Sequence, residues 1–384
     1  MGGRDGFAWL DDLLERAVRA GQVPGVVAGV AAGDASRVAA AGSLAFGGAP
    51  MQRDTLFRIS SMTKPVTAVT VLALADHGVI DLDAPVDDLL PELAERRVLR
   101  DPAGPLDDTV PAERPITARD LLQFTWGFGF EGTMMTAAEP WPIFTATVEQ
   151  ELHTFGPPQP ARMPPPDVWM ARLGELPLVA QPGERWLYNT GTQVLAVLVS
   201  RATSAPFEAV LRERVLAPLG MRDTAFWTAH TDRLATSYLR EGGGFTVFDP
   251  PDGQWAGPPA FPDGSAGLLS TADDFLAFGR MLLRNGAPVL HPSTVAEMTR
   301  DQLTAEQHAN AWPGFSFLGD RGWGHGVSVL DDGAYTWEGG KGSVWINVPA
   351  EDLTVVVLTQ ASMDEHGLPG ICNEVIAAAR ASVS

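Results

Sequence analysis

Ser61 and Lys64 stand three residues apart in Arg58-Ile59-Ser60-Ser61-Met62-Thr63-Lys64-Pro65, an S-x-x-K spacing. On one helical turn, positions i and i+3 share a face, so a hydroxyl and an amine would meet. A lysine amine can take a proton from that hydroxyl, whereas a guanidinium stays protonated in a protein. The chain has 27 lysines and arginines, and only Lys64 and Lys341 are lysines, so Lys64 stands out where arginine could not act as a base. Acyl transfer by serine needs a nucleophile, a proton acceptor and donors for the oxyanion. Free lysine titrates at about 10.4, so a basic Lys64 requires burial or a nearby positive charge.

Two further segments could complete such a site. Arg185-Trp186-Leu187-Tyr188-Asn189-Thr190-Gly191 places one of only three tyrosines just before a helix. A phenol near an ammonium loses its proton more easily and could serve as a base; the alternative is an anchoring aromatic at a domain boundary. Trp337-Glu338-Gly339-Gly340-Lys341-Gly342 lies at a predicted strand end. Glycines there let backbone approach a ligand, and the Gly340 N–H could face an oxyanion. The alternative is a glycine-rich hairpin.

The elements that must position these residues follow from periodicity. Residues 7–20 read as an amphipathic helix stopped by Gly21. Val26 to Val30 and Val38 to Ala41 read as strands around a Gly33-Asp34 turn. Pro65 to Leu74 continues the S-x-x-K turn as a helix. Helices are also expected over Ala118 to Phe124, Thr192 to Ala202 and Phe207 to Val215, among proline-rich loops at 156–166 and 248–262. Strands are expected over Gly326 to Leu330, Ala334 to Trp337, Gly342 to Val348 and Leu353 to Gln360, then a closing helix over 367–381. The expected architecture is α/β in the α+β sense: an antiparallel sheet flanked by terminal helices, with a largely helical insertion domain. The first domain takes residues 1–84 and 262–384, the insertion 85–261. A site would form where the insertion meets the sheet edge.

Composition narrows the function. A net charge of -20 argues against nucleic acid and anionic membranes as partners, since both need a basic face. Cys372 is the only cysteine, so no intramolecular disulfide or four-cysteine zinc site can form. The seven histidines show no metal-ligand spacing, and neither metal nor organic cofactor is expected. His325 could approach the site, but no serine lies in a G-x-S-x-G elbow, which disfavours a Ser-His-Asp triad. The first ten residues hold no signal-like apolar run, and no stretch reaches 18 apolar residues, so the expectation is a cytoplasmic protein.

S-x-x-K, then a tyrosine motif, then a glycine motif on a late strand: this order resembles the penicillin-recognising serine hydrolases. The chain is most similar to class C β-lactamases and the family VIII carboxylesterases that share their fold, from about residue 8 to residue 380. Ile116 to Leu122, Pro218 to Thr224 and Gly264 to Thr271 support the resemblance. It implies Ser61 as nucleophile, Lys64 as its proton partner, Tyr188 as general base, and the Ser61 and Gly340 amides as oxyanion hole. The family often has Tyr-x-Asn; here Thr190 takes the Asn position, which would leave Asn189 pointing elsewhere, and both are candidate substrate contacts. β-lactamases carry a lysine where Trp337-Glu338-Gly339 stands. An indole and a carboxylate would bind an anion poorly, so the pattern tilts toward small to medium neutral esters. In a rival register Lys341-Gly342-Ser343 takes that role, at the cost of too short a turn before the next strand.

Phe124 to Phe130, with Met134, Met135, Trp141 and Phe144, is dense in large apolar side chains. Trp126 and Phe128 are expected to wall the acyl or alcohol pocket, the alternative being the core of the helical region. The leading expectation is therefore a serine carboxylesterase. A β-lactamase, a D-amino-acid peptidase or amidase, and an acyltransferase could use the same residues. A non-catalytic penicillin-binding-like module is the reading from another class.

Overall fold

The structure, a computed structural model, describes residues 7–129, 132, 134, 137–154, 156–310 and 318–383. Its frame is a seven-stranded sheet: β1 (Gly25–Ala32), β2 (Ala35–Gly42), β3 (Gly322–Trp323), β4 (Ser328–Val329), β5 (Tyr335–Gly339), β6 (Ser343–Val348) and β7 (Leu353–Thr359). Spatial order is β2-β1-β7-β6-β5-β4-β3, with every pairing antiparallel. The two ends of the chain meet inside the sheet, where Val26 pairs with Thr359 and Ala32 with Leu353. The Gly33-Asp34 turn joins β1 to β2 as expected.

The helices that matter to the site and its frame are α1 (Trp9–Arg19), α2 (Thr63–Asp76), α3 (Ala118–Gln123), α4 (Gly191–Thr203), α5 (Ala272–Leu283) and α6 (Gly370–Val383). Side-chain alternation along a strand sends neighbours to opposite faces. Val26, Ala28 and Val30 of β1, with Val355 and Val357 of β7, enter one core with Leu10 and Leu14 of α1 and Ile371 and Val375 of α6. Val27, Val356 and Leu358 enter the other, with Phe275 and Phe278 of α5 and much of α2 and α4. Both faces are covered, which is why these strands read as continuous apolar runs. Helix α1 carries Asp11 and Asp12 in its first turn and Arg16 and Arg19 in its last, a distribution that complements the helix dipole.

Helix α2 is buried from Thr63 to Leu74, and α4 from Gly191 to Val199. A helix apolar all round belongs in a core. Helix α3 starts from a capping box between Thr117 and Asp120, reinforced by Arg114 on the Asp120 carboxylate at 2.7 Å. Among the described residues, no single helix is long and apolar enough to cross a membrane.

Two local features depart from expectation. The helix over 207–215 starts at Phe207 but widens into a π-turn over Arg212–Leu216. Pro218 lies just beyond, with no N–H for the carbonyl four residues back, and so strains regular α geometry there. A β-hairpin, Ser237–Glu241 with Gly244–Asp249, stands in the middle region. The Tyr238 N–H donates to the Gln360 carbonyl at 2.8 Å, so this hairpin docks just past the end of β7.

Candidate active site

Ser61 sits in a 3₁₀ turn, Ser60–Met62, that leads directly into α2. That turn is held by the end of the sheet. The Ile59 carbonyl accepts from the Met62 N–H at 3.1 Å and from Ser343 Oγ of β6 at 3.1 Å. Gly339, the last residue of β5, leaves no room for a side chain: a Cβ there would lie 2.2 Å from the Ile59 oxygen. Only glycine lets β5 lie against the backbone next to Ser61. Ser60 takes a left-handed φ of 45°, a conformation that costs a non-glycine residue about 1–3 kcal/mol and concentrates at functional sites.

Lys64 is fully buried. Its Nζ donates to Ser61 Oγ at 3.0 Å and to the Ser265 carbonyl at 3.1 Å. Burial pulls its pKa from the ordinary lysine value down to about 7, opposed by the charge of Asp263. Asp263 is itself buried, which pushes its own pKa up, while its Oδ1 accepts from the Ser265 N–H at 2.7 Å.

Tyr188 also reaches Ser61, its hydroxyl donating to Ser61 Oγ at 3.0 Å. An aromatic cage fixes the ring: Trp186, Phe124 and Trp337 have centroids at 5.7, 5.9 and 5.5 Å. Burial raises the phenol pKa well above its usual value, only partly offset by the Ser61 hydrogen bond. Lys64 Nζ lies 4.8 Å from the ring centroid, over the ring face. Burial thus disfavours the phenolate form of Tyr188 and favours the neutral amine of Lys64.

The cavity beside Ser61 has a volume of about 290 Å³. Ser61, Tyr188, Asn189, Trp337, Glu338, Gly340 and Lys341 line it, with Pro157, Pro158, Leu239, Ala266 and Met363. The Gly340 carbonyl accepts from the Met363 N–H at 3.0 Å, which orients the turn after β5. Glu338 is engaged by Arg321, whose Nη1 lies 3.2 Å from its Oε1.

Two expectations need correction. Asn189 does not point elsewhere. It adopts a left-handed φ of 95°, which asparagine tolerates better than most residues, and it lines the cavity. Its amide is anchored by the Thr154 carbonyl and by Ser265 Oγ, which lies 2.8 Å from Oδ1. Thr190 is instead fully buried and takes no part in lining the cavity. Trp126 and Phe128 likewise do not line it: both are fully buried in the main core. Backbone explains this. At Gly129 a Cβ would lie 2.6 Å from the Tyr188 carbonyl, so the loop meets the site with its backbone and its large side chains turn inward. Met134 and Trp141 pack with that core, and Phe144 against the Tyr188 cage. Phe130 and Met135 lie outside the described residues.

His325 is fully buried, near Glu297 at 3.6 Å and Arg119 at 3.4 Å, and does not line the cavity. Among the described residues, no group of three or more His, Cys, Asp or Glu side chains could hold a metal. Sequence reading missed Asp263, Leu239 and Met363. Asp263 directly precedes the Gly264 to Thr271 stretch already singled out, which was its one available signal.

The beta-lactamase family model matches residues 10–369. The chain belongs to the beta-lactamase family. It is 40% identical over 343 residues to an uncharacterized protein of Mycobacterium tuberculosis, covering 83% of this chain and 80% of that one. It is 32% identical over 389 residues to esterase EstB of Burkholderia gladioli, covering 93% and 91%. Among solved structures it is similar to EstCE1, described as a hydrolase with promiscuous acyltransferase activity. There the TM-score is 0.79 at 24% identity, with 99% of each chain covered. The β-lactamase and penicillin-binding-protein-like fold is thus the fold of this family member, with its antiparallel sheet, terminal helices and helical region.

Proposed function

We propose that this member of the beta-lactamase family is a serine carboxylesterase that hydrolyses small to medium esters through an acyl-Ser61 intermediate. One observation carries the reading: Ser61 Oγ lies 3.0 Å from both Lys64 Nζ and the Tyr188 hydroxyl, on the wall of a largely apolar cavity. The neutral Lys64 amine takes the Ser61 proton as Oγ attacks the ester carbonyl. The Ser61 and Gly340 amides receive the developing oxyanion. Tyr188, a phenol throughout, relays the proton from the Lys64 ammonium to the departing alkoxide. The alcohol leaves, water enters, and the same groups run the steps in reverse on the acyl-enzyme. The substrate portion against Trp337 and Glu338 is neutral, because Glu338 is already paired with Arg321.

Similarity to EstB supports an ester substrate. The test is turnover of p-nitrophenyl acetate and butyrate beside a chromogenic cephalosporin. Ester hydrolysis that is lost in Ser61→Ala is expected. Rapid cephalosporin hydrolysis with slow ester hydrolysis would reassign the site to lactams.

A further inference from the structure

The β-hairpin Ser237–Glu241 with Gly244–Asp249 stands outside the seven-stranded sheet and supplies no group to the chemistry at Ser61, yet it reaches the cavity through Leu239. Its first strand runs beside residues 360–364. The Tyr238 N–H donates to the Gln360 carbonyl at 2.8 Å, and the Ser362 N–H to the Tyr238 carbonyl at 2.9 Å. This is parallel pairing, with Tyr238 opposite Ala361. The next rung differs: the Arg240 N–H donates to Ser362 Oγ at 3.1 Å, to a side chain in place of a backbone carbonyl. The serine hydroxyl closes the ladder where the chain turns away, and the Met363 N–H then donates to the Gly340 carbonyl at 3.0 Å. Beyond that point Arg240 Nη2 and Asp364 Oδ2, 2.7 Å apart, tie the strand to the same segment.

These bonds hold the backbone at Leu239 and Met363, whose side chains line the cavity and are only partly buried. An alkyl chain laid against them would take their exposed apolar surface out of water. Met363 also stands beside the oxyanion turn: a Cβ at Gly340 would lie 3.6 Å from its Sδ. Tyr188 belongs elsewhere, to the aromatic cage with Trp186, Phe124 and Trp337. An ester carbon attacked by Ser61 sends its oxygen to the Ser61 and Gly340 amides and its alkoxide toward Tyr188. Its remaining substituent, the acyl chain, is left with the wall of Leu239 and Met363.

We propose that Leu239 and Met363 are the residues that set acyl-chain length, and that the preferred substrates are esters of short aliphatic acids. The cavity of about 290 Å³ equals roughly ten groups of water size at about 30 Å³ each. The ester group and the head of the alcohol fill part of it, which leaves room for an acyl chain of about four to six carbons. Each methylene that reaches the wall should raise kcat/KM about fourfold. A longer chain meets Leu239, held in its strand, and gains no more. The inference rests on the esterase reading for which substituent faces the wall; the preference of the wall for an alkyl chain is independent of turnover.

Two measurements separate the claims. The first follows kcat/KM for p-nitrophenyl acetate, butyrate, hexanoate and decanoate, taken as ratios within each protein so that the amount of folded enzyme cancels. In the wild type, kcat/KM should rise from acetate to a maximum at butyrate or hexanoate and fall at decanoate. Leu239→Ala should raise the decanoate-to-butyrate ratio about tenfold or more, and Leu239→Trp should lower the hexanoate-to-acetate ratio by a similar factor. Met363→Ala should act in the same direction as Leu239→Ala, and replaces it if that variant folds poorly. Ratios that stay the same in these variants overturn the proposal. The second measurement is titration calorimetry on Ser61→Ala with ethyl acetate and ethyl pentanoate. Tighter binding of the pentanoate, with the difference narrowed by adding Leu239→Ala, supports the wall even if no ester is turned over, in which case only the esterase reading falls. Equal binding of the two esters overturns the wall even if esters are hydrolysed.

Discussion

The chain's two lysines are both buried, and their surroundings differ in one respect that decides their chemistry. Lys64 has oxygen acceptors: Ser61 Oγ at 3.0 Å, the Ser265 carbonyl at 3.1 Å, and the Asp263 charge behind them. Lys341 has a ring face and a carboxylate already claimed by arginine. Burial lowers both pKa values, to about 7 and about 8. An amine with fixed acceptors and a pKa near neutrality is suited to exchange protons in place. An amine set against a ring face is held by that face and has no such exchange partner. Similar burial thus leaves Lys64 beside a hydroxyl and Lys341 beside a ring face.

That contrast can be broken in several ways. Lys64→Arg keeps the charge and removes the titratable amine; ester hydrolysis should fall about a hundred- to ten-thousandfold, read as kcat at neutral pH. Near wild-type rates would remove Lys64 from the proton path. Tyr188→Phe keeps the ring in its cage and deletes the relay, so kcat should fall more than about tenfold, while a smaller loss would leave Tyr188 as packing alone. For wild type, kcat/KM should rise with pH through an apparent pKa near 7, because the neutral form of Lys64 is gained as pH rises above that value. Asp263→Asn removes the charge that favours the ammonium, so this limb should move to lower pH; an unmoved limb would separate Asp263 from the reaction. The smallest effect is expected at Phe128→Leu. It should cost about 1–2 kcal/mol of stability in denaturant unfolding while KM changes less than about twofold, since the ring lies in the core.

The reactive residues were legible because their chemistry restricts residue type. S-x-x-K forces two side chains onto one turn, and six of the sheet's seven strands announced themselves through apolar runs bounded by turns, whereas the two-residue β3 did not. The pocket wall was not legible. Trp126 and Phe128 look like a wall by composition, but the backbone at Gly129 decides which way they face, and that contact with Tyr188 is long-range. Asn189 was misjudged for a related reason: sequence spacing assumed regular backbone, whereas this residue has a left-handed φ and lies on the cavity wall. Lys341 sits in the turn after β5, and its contact with the Phe248 ring joins parts of the chain far apart in sequence.

The central claim is that Ser61 carries the acyl group. The most direct measurement is titration with a p-nitrophenyl alkylphosphonate, followed by peptide mass spectrometry. One phosphonyl group on Ser61, appearing in step with the loss of esterase activity and absent in Lys64→Arg on the same timescale, is the predicted result. Esterase activity that survives full labelling, or a label on any other residue, would contradict the account.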